Sequence, residues 1–144
     1  MAASRFPKAA ESDMTGSTSA LDDAKRNRQV GWAFRAMESA FAFLIEDFHY
    51  RVGDARLHQE GSYLTFVGSN AMIVITYEEW WNGFSGDVTS RGGSHENVWD
   101  LLARRDPDGT WPAPDRTQRI SREDATILLF GWADGLRKIA ADVL

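Results

Sequence analysis

Cysteine is missing from this sequence of 144 residues. Its absence excludes disulfide bonds, thiol nucleophiles and metal sites with cysteine ligands. Long apolar runs are also missing, because none approaches the roughly 20 residues of a membrane-spanning helix. The first residues include Arg5 and Lys8 but lack the apolar stretch of a secretory signal. We therefore expect a cytoplasmic protein that has no contact with a membrane.

Basic residues are outnumbered by acidic ones. The chain has 16 Lys and Arg against 21 Asp and Glu, which gives a net charge of −5 and a sequence pI of about 5.1. Nucleic-acid binding depends on clustered Lys and Arg that displace counterions from phosphates, so we expect no nucleic-acid partner. An acidic chain suits a basic protein partner instead.

Recognisable catalytic and ligand-binding motifs are also absent. The three histidines, His49, His58 and His95, have neither HxxxH nor HExxH spacing. Ser94-His95-Glu96 contains the residue types of a catalytic triad, but triads assemble from distant segments and not from neighbours in sequence. The P-loop, the GxGxxG fingerprint and the G-x-S-x-G elbow do not occur. We expect no catalytic residues, no metal site and no cofactor.

The central feature of the sequence is the segment 62–91, which predicts three consecutive antiparallel strands. Residues 71–77 contain the most apolar run of the chain and are rich in β-branched side chains, as is typical of a central strand. Residues 63–67 form the strand before it. Residues 84–89 form the return strand, with Phe84 and Val88 facing inward.

The borders of the sheet are predicted from turn and edge chemistry. Asn82-Gly83 is the favoured pair for a two-residue hairpin turn, and such a turn would extend the central strand through Trp81. The polar residues 56–59 predict an edge strand. Gly92-Gly93 would end the sheet after the return strand.

Helical spacing predicts three helices around this sheet. The first covers residues 29–48, a short second one covers residues 94–104, and the last begins after Ser121, which resembles the start of a capping box. Gly131 and Gly135 lie one turn apart in the last helix, which suggests close approach to a neighbour. The apolar stripe of the first helix consists of Phe34, Met37, Phe41, Leu44 and Phe48.

The order of these elements defines the predicted fold class. Residues 1–27 have sparse, aperiodic apolar residues and predict a disordered tail. Residues 28–144 then form a single α+β domain, with an N-terminal helix, an antiparallel meander of three to four strands, a short helix and a long C-terminal helix packed on the sheet.

One segment stands out as a candidate binding surface. Glu78, Glu79, Trp80 and Trp81 follow the central strand, and two adjacent tryptophans in an extended chain cannot face the same core. Tryptophan is enriched at interface hot spots, and the flanking acids would suit a basic partner. The alternative is that the second tryptophan packs under the loop around Trp111.

The apolar pattern over residues 30–144 resembles that of small bacterial α+β proteins, among them immunity proteins of polymorphic toxin systems. The resemblance implies a compact α+β fold and a binding role, and it carries over no site residues. The aromatic segment 78–81 departs from the pattern. The segments that carry the resemblance are 41–48, 63–67, 72–77, 98–102 and 132–144.

We therefore expect a non-enzymatic cytoplasmic protein-binding domain, most concretely an immunity-like protein that neutralises a basic toxin. The first alternative is a small enzyme or ligand-binding domain whose pocket, between sheet and helices, is lined by His58, Tyr63, Tyr77 and Glu79. The second is a structural subunit that assembles through the sheet edge or the aromatic turn. The oligomeric state is left open by the sequence.

Overall fold

A computed structural model describes residues 20–58, 61–111 and 115–144. The predicted tail up to residue 19 and the end of the predicted edge strand, residue 59, lie outside the described residues. The predicted α+β class is confirmed. A helical segment at residues 20–25 comes first. The elements that follow are, in order, α1 (Gly31–Ala40), α2 (Ala42–Phe48), β1 (Arg51–Arg56), β2 (Ser62–Val67), β3 (Ala71–Glu78), β4 (Gly83–Ser90), β5 (His95–Asn97), α3 (Val98–Arg105), α4 (Arg122–Ile139) and a 3-10 turn (Ala141–Val143).

The strands of the described residues form one antiparallel sheet in the order β1-β2-β3-β4-β5. β3 is the central strand, and burial alternates along it because successive side chains point to opposite faces. Ile73 and Ile75 are fully buried, whereas the alternating residues Met72 and Val74 are half-buried. The predicted run of three strands over residues 62–91 is therefore confirmed.

The helices cover the sheet face that carries Ile73 and Ile75. Register pairs those residues with Phe66 and Leu64 on β2, and with Val88 and Gly86 on β4. Burial of apolar side chains between two layers is the main stabilising term of such a fold. The helix residues of the same core are Ala33, Phe34, Met37, Phe41, Leu44, Val98, Leu101, Leu102, Leu129, Trp132 and Leu136.

The single helix predicted over residues 29–48 is wrong, because the helix is interrupted at Phe41. Phe41 has φ −106° and ψ 14°, outside helical values, and it separates α1 from α2. In an unbroken helix Phe41 and Phe43 would point about 200° apart. The interruption lets both rings enter the core, where their centroids lie 6.2 Å apart and Phe41 also packs on Phe66.

Both edges of the sheet differ from the prediction. The first strand covers Arg51–Arg56 and not 56–59, with a register shift between Val52 and Asp54. At the other edge, His95–Asn97 pairs with β4 where a helix was predicted from residue 94, so α3 begins only at Val98. The side-chain amide of Asn97 donates a hydrogen bond to the Asp87 carboxylate at 2.8 Å. This contact favours strand pairing with β4 over a helix at residues 95–97.

The boundary of the folded part also lies earlier than residue 28. Residues 20–25 are helical, and Leu21 and Ala24 are buried in the core. Lys25 bridges to Glu38 on α1 at 3.1 Å, and its pKa is raised chiefly by that hydrogen bond. This helix was not predicted because two buried residues are too few to show a helical period in the sequence.

The start of α4 lies where the sequence predicted it, whereas the prediction for its two glycines is only partly confirmed. Ser121 caps the helix, and its hydroxyl accepts a hydrogen bond from the Asp124 amide at 3.0 Å. Gly135 does permit close approach, since a Cβ there would lie 2.8 Å from the Trp111 ring. A Cβ on Gly131 would meet nothing within 4 Å, so that half of the prediction is wrong.

A buried tyrosine joins the end of the helical layer to the start of the sheet. Tyr50 lies just before β1, is buried, and donates a hydrogen bond from its hydroxyl to the Leu144 carbonyl at 3.2 Å. Burial disfavours the phenolate and raises the pKa of Tyr50 to about 12. Because the folded pKa lies above the ordinary value of 10.0, this group stabilises the fold below pH 10 and loses that contribution as pH rises toward 12.

We expect the Tyr50→Phe variant to lose about 1 kcal/mol at neutral pH, because one buried hydrogen bond disappears. Above pH 10 its stability should fall less steeply than that of the wild type, since there is no phenolate to form at this site. Urea unfolding between pH 7 and 11 measures both effects. Equal pH slopes for the two proteins would contradict this assignment.

Candidate functional site

The hairpin between β3 and β4 holds the four residues predicted to bind a partner. β3 ends at Glu78 and β4 begins at Gly83, so the connection has four residues, Glu79–Asn82. The two-residue turn predicted at Asn82-Gly83 is wrong. Asn82 alone takes a positive φ, of 59°, and its amide donates to the Glu79 carbonyl at 3.2 Å. Asparagine tolerates this left-handed conformation, which lets a longer loop close the hairpin.

The two tryptophans of this turn have opposite environments. Trp80 is 58% exposed, whereas Trp81 is 1% exposed. The Trp81 ring folds back over Gly83, where a Cβ would lie only 2.0 Å from it, and its indole nitrogen donates to the Glu78 carboxylate at 3.0 Å. Register places Glu78 and Gly83 on the sheet face away from the helices, so Trp81 is buried outside the main core.

The loop before α4 covers Trp81. The Ile120 amide donates to the Trp81 carbonyl at 3.0 Å, and the Arg116 guanidinium lies over the Trp81 ring, 5.7 Å from its centroid. The alternative interpretation, in which the second tryptophan packs under a loop, therefore applies to Trp81. The described residues that cover it are 116–120 and not those around Trp111. Trp80 is left as the exposed aromatic residue of the turn.

The helix side of the turn is fixed by a second set of contacts. The Tyr77 hydroxyl donates to the Asn82 side-chain oxygen, and the Asn82 amide group donates to the Ile120 carbonyl at 2.9 Å. Trp32 on α1 packs edge-on against Tyr77 and Phe84, with centroids 5.3 Å and 5.8 Å away. Burial, with a smaller effect of the nearby Glu79 charge, raises the pKa of Tyr77 and keeps its hydroxyl a donor. The turn is thus held from both faces of the sheet.

Arginines from the loop reduce the acidity of this surface. Arg116 pairs with Glu78 at 3.1 Å, and Arg119 donates to the Glu79 backbone carbonyl. Arg122, the first residue of α4, lies over the Trp32 ring on the helix side of the sheet, 4.6 Å from the ring centroid. These arginines were not predicted as site residues, although their spacing, one at every third position from 116 to 122, is visible in the sequence. The surface around Trp80 is therefore of mixed charge.

The residues of the alternative pocket do not come together. His58 stacks on Tyr63 with ring centroids 6.0 Å apart, near the β1 side of the sheet. Tyr77 pairs with Ser62, not with Tyr63, so the two tyrosines occupy opposite faces. Glu79 belongs to the turn. A single pocket lined by all four residues is therefore not formed.

One histidine lies near a carboxylate. The His95 ring nitrogen is 3.4 Å from the Asp87 carboxylate, on the sheet face away from the helices, and the His95 side chain is 56% exposed. Asp87 also accepts a bond from Asn97. An exposed pair at a sheet edge lacks the water-excluded cleft that general acid–base catalysis uses. In residues 20–58, 61–111 and 115–144 no cluster of His, Asp or Glu is arranged to hold a metal.

Comparisons with known proteins identify no relative: no family model, no curated protein and no solved structure matches this chain. The resemblance to immunity proteins therefore stays a prediction. The described helices also include none that is long and apolar enough to cross a membrane.

We expect Gly83→Ala to destabilise the protein by roughly 1–3 kcal/mol, because a new Cβ would overlap the Trp81 ring. Gly92→Ala is the matched control, since a Cβ there meets nothing within 4 Å. Thermal unfolding of the two variants measures the difference. A Gly83→Ala protein as stable as the Gly92→Ala control would mean that Trp81 does not pack on this strand.

Proposed function

We propose that this chain is a non-enzymatic protein-binding domain whose contact surface is the turn Glu79–Asn82, with Trp80 at its centre. The observation that carries the proposal is the contrast between Trp80 and Trp81. One indole is largely exposed, while the next is buried and hydrogen-bonded, so the chain holds the exposed ring on a fixed support.

A fixed tryptophan is an efficient binding group. Burying an exposed indole removes a large apolar area from water, and tryptophan dominates interface energies for that reason. The turn is already ordered by Asn82, by the Tyr77 hydroxyl and by the loop before α4. Little conformational entropy remains to be lost when a partner docks, which raises affinity.

The most specific version of the proposal is an immunity-like protein that neutralises a basic toxin. It is supported by the net charge of −5, which attracts a basic partner at long range, and by the resemblance in apolar pattern. At short range Glu78 is already paired with Arg116. The Trp80 ring therefore supplies the contact energy, and the net negative charge of the whole chain supplies the long-range attraction.

Trp80→Ala tests the proposal. We expect Kd for the partner to rise roughly thirtyfold or more, as the loss of a hot spot of about 2 kcal/mol requires. Candidate partners are the products of the adjacent genes, co-expressed with this chain and measured by titration calorimetry. If one of them is toxic, the wild type should restore growth and Trp80→Ala should not.

Leu57→Ala is the matched control, because Leu57 is a large exposed apolar side chain outside the turn. It should leave Kd and the growth rescue unchanged. Circular dichroism should show both variants folded, since neither side chain belongs to the core. A partner that binds Trp80→Ala as tightly as the wild type would exclude the turn as its contact surface.

A further inference from the structure

The outer face of α4 carries exposed apolar side chains that the fold does not use. Ile127 is 61% exposed and lies on the helix face opposite the core residues Leu129 and Trp132, and Phe130, which is 41% exposed, lies at the flank of that face. Gly131 lies beside them with open space where a Cβ would stand. Glycine in a helix interior costs roughly 1 kcal/mol relative to alanine, and here no neighbour within the described residues requires it.

α4 carries acidic residues at one end and basic residues at the other, at equal distances from this apolar centre. Glu123 and Asp124 occupy the first turn, and Arg137 and Lys138 occupy the last. The midpoint of the helix lies between residues 130 and 131. Residues 123 and 138 lie at equal distances on either side of it, and so do residues 124 and 137. Glu123, Asp124 and Arg137 form no ion pair among the described residues, and Lys138 pairs only with Asp134 of the same helix.

We propose that a second copy of this chain docks on the outer face of α4, with the two α4 helices antiparallel and crossing near Phe130 and Gly131. In that arrangement Glu123 of each copy meets Lys138 of the other, and Asp124 meets Arg137. The antiparallel direction also sets opposite ends of the two helix dipoles side by side. Gly131 lets the two backbones approach closely at the crossing point.

A groove beside the crossing point offers room for the other copy. It has a volume of about 290 Å³ and lies between α4 and the α1–α2 junction. Phe130 and Ala133 form one wall together with the charged Asp134 and Arg137, and Ser39, Ala40, Ala42, Phe43 and Glu46 form the other. In the antiparallel register Ile127 of one copy lies across from Asp134 of the other, at this groove, so the Ile127 side chain would contact the apolar residues Phe130 and Ala133 beside Asp134.

The size of this surface determines how tightly the two copies are expected to associate. An 18-residue helix face is smaller than the roughly 800 Å² per partner of a standard interface, so association should be weak, with Kd on the order of micromolar to sub-millimolar. The sheet edges do not compete as dimer contacts. β5 has three residues, and β1 carries a bulge and the charges of Arg51, Asp54 and Arg56, which discourage strand addition.

Sedimentation equilibrium over a range from about 5 µM to about 1 mM tests the proposal. We expect a reversible monomer–dimer equilibrium in the wild type. Ile127→Glu and Phe130→Glu should each shift the protein to monomer, raising the dissociation constant at least tenfold. Leu57→Glu and Trp80→Ala should leave it unchanged, which separates this surface from the proposed binding turn.

A charge exchange tests the antiparallel register. Glu123→Lys alone and Lys138→Glu alone should each weaken the dimer several-fold, and the double variant should recover most of the loss. Circular dichroism and thermal unfolding verify that each variant is folded. Because Ile127 is mostly exposed, its substitution keeps the test valid if Phe130→Glu proves unstable.

Four outcomes would overturn the proposal. A monomer up to about 1 mM would show that no second copy binds. A dimer indifferent to both glutamate substitutions would place the contact elsewhere. A dimer that the double charge variant fails to recover would exclude the antiparallel register, and a monomer that uses Ile127 to bind another protein would assign the face to a different occupant.

Discussion

The helices α1 to α4 all pack on one face of the antiparallel sheet, and the rest of the structure depends on this one-sided arrangement. Ile73 and Ile75 on the central strand are sealed between β2, β4 and the helices. The opposite face carries threonines, serines and half-buried Met72 and Val74. An aromatic side chain that points to that face needs its own cover, and Trp81 obtains it from the loop before α4.

The turn at the end of β3 is where two separately packed regions meet. Trp32, Tyr77 and Phe84 hold it from the helix side, and Trp81 with Arg116 holds it from the other. Asn82 joins the two by accepting from Tyr77 and donating to Ile120. A hairpin turn fixed in this way has little freedom to lose on binding, so an exposed residue on it acts as a preorganised contact. We propose that Trp80 is that residue.

Two surfaces then divide the proposed interactions of the chain. The turn presents a tryptophan among paired charges and suits a different protein, while the outer face of α4 presents apolar residues between acidic and basic ends and suits a copy of itself. They involve different elements, so occupying one does not by itself block the other. The histidines contribute to neither surface, since His95 meets Asp87 at an exposed edge and His58 stacks on Tyr63.

Local sequence determined the elements whose signals are short-range. Alternation specified β2, β3 and β4, and the cap at Ser121 fixed the start of α4, because a strand period or a capping side chain acts within a few residues. Trp80 and Trp81 differ in burial as the sequence predicts, although both lie in the turn and not in a strand. The acidic composition and the lack of cysteine or catalytic motifs bounded the function in the same way.

Only tertiary structure decided the features that depend on distant partners. Phe41 interrupts the first helix because the core admits both it and Phe43, and β5 forms because β4 offers a free edge at Asp87. The Glu78 carboxylate is offset by the positive charge of Arg116, and Arg119 binds the Glu79 backbone carbonyl, because this loop, some 40 residues away in sequence, folds onto the turn. Which tryptophan is buried likewise depended on that loop, since the energy of covering an indole comes from whatever packs on it and not from the residues beside it.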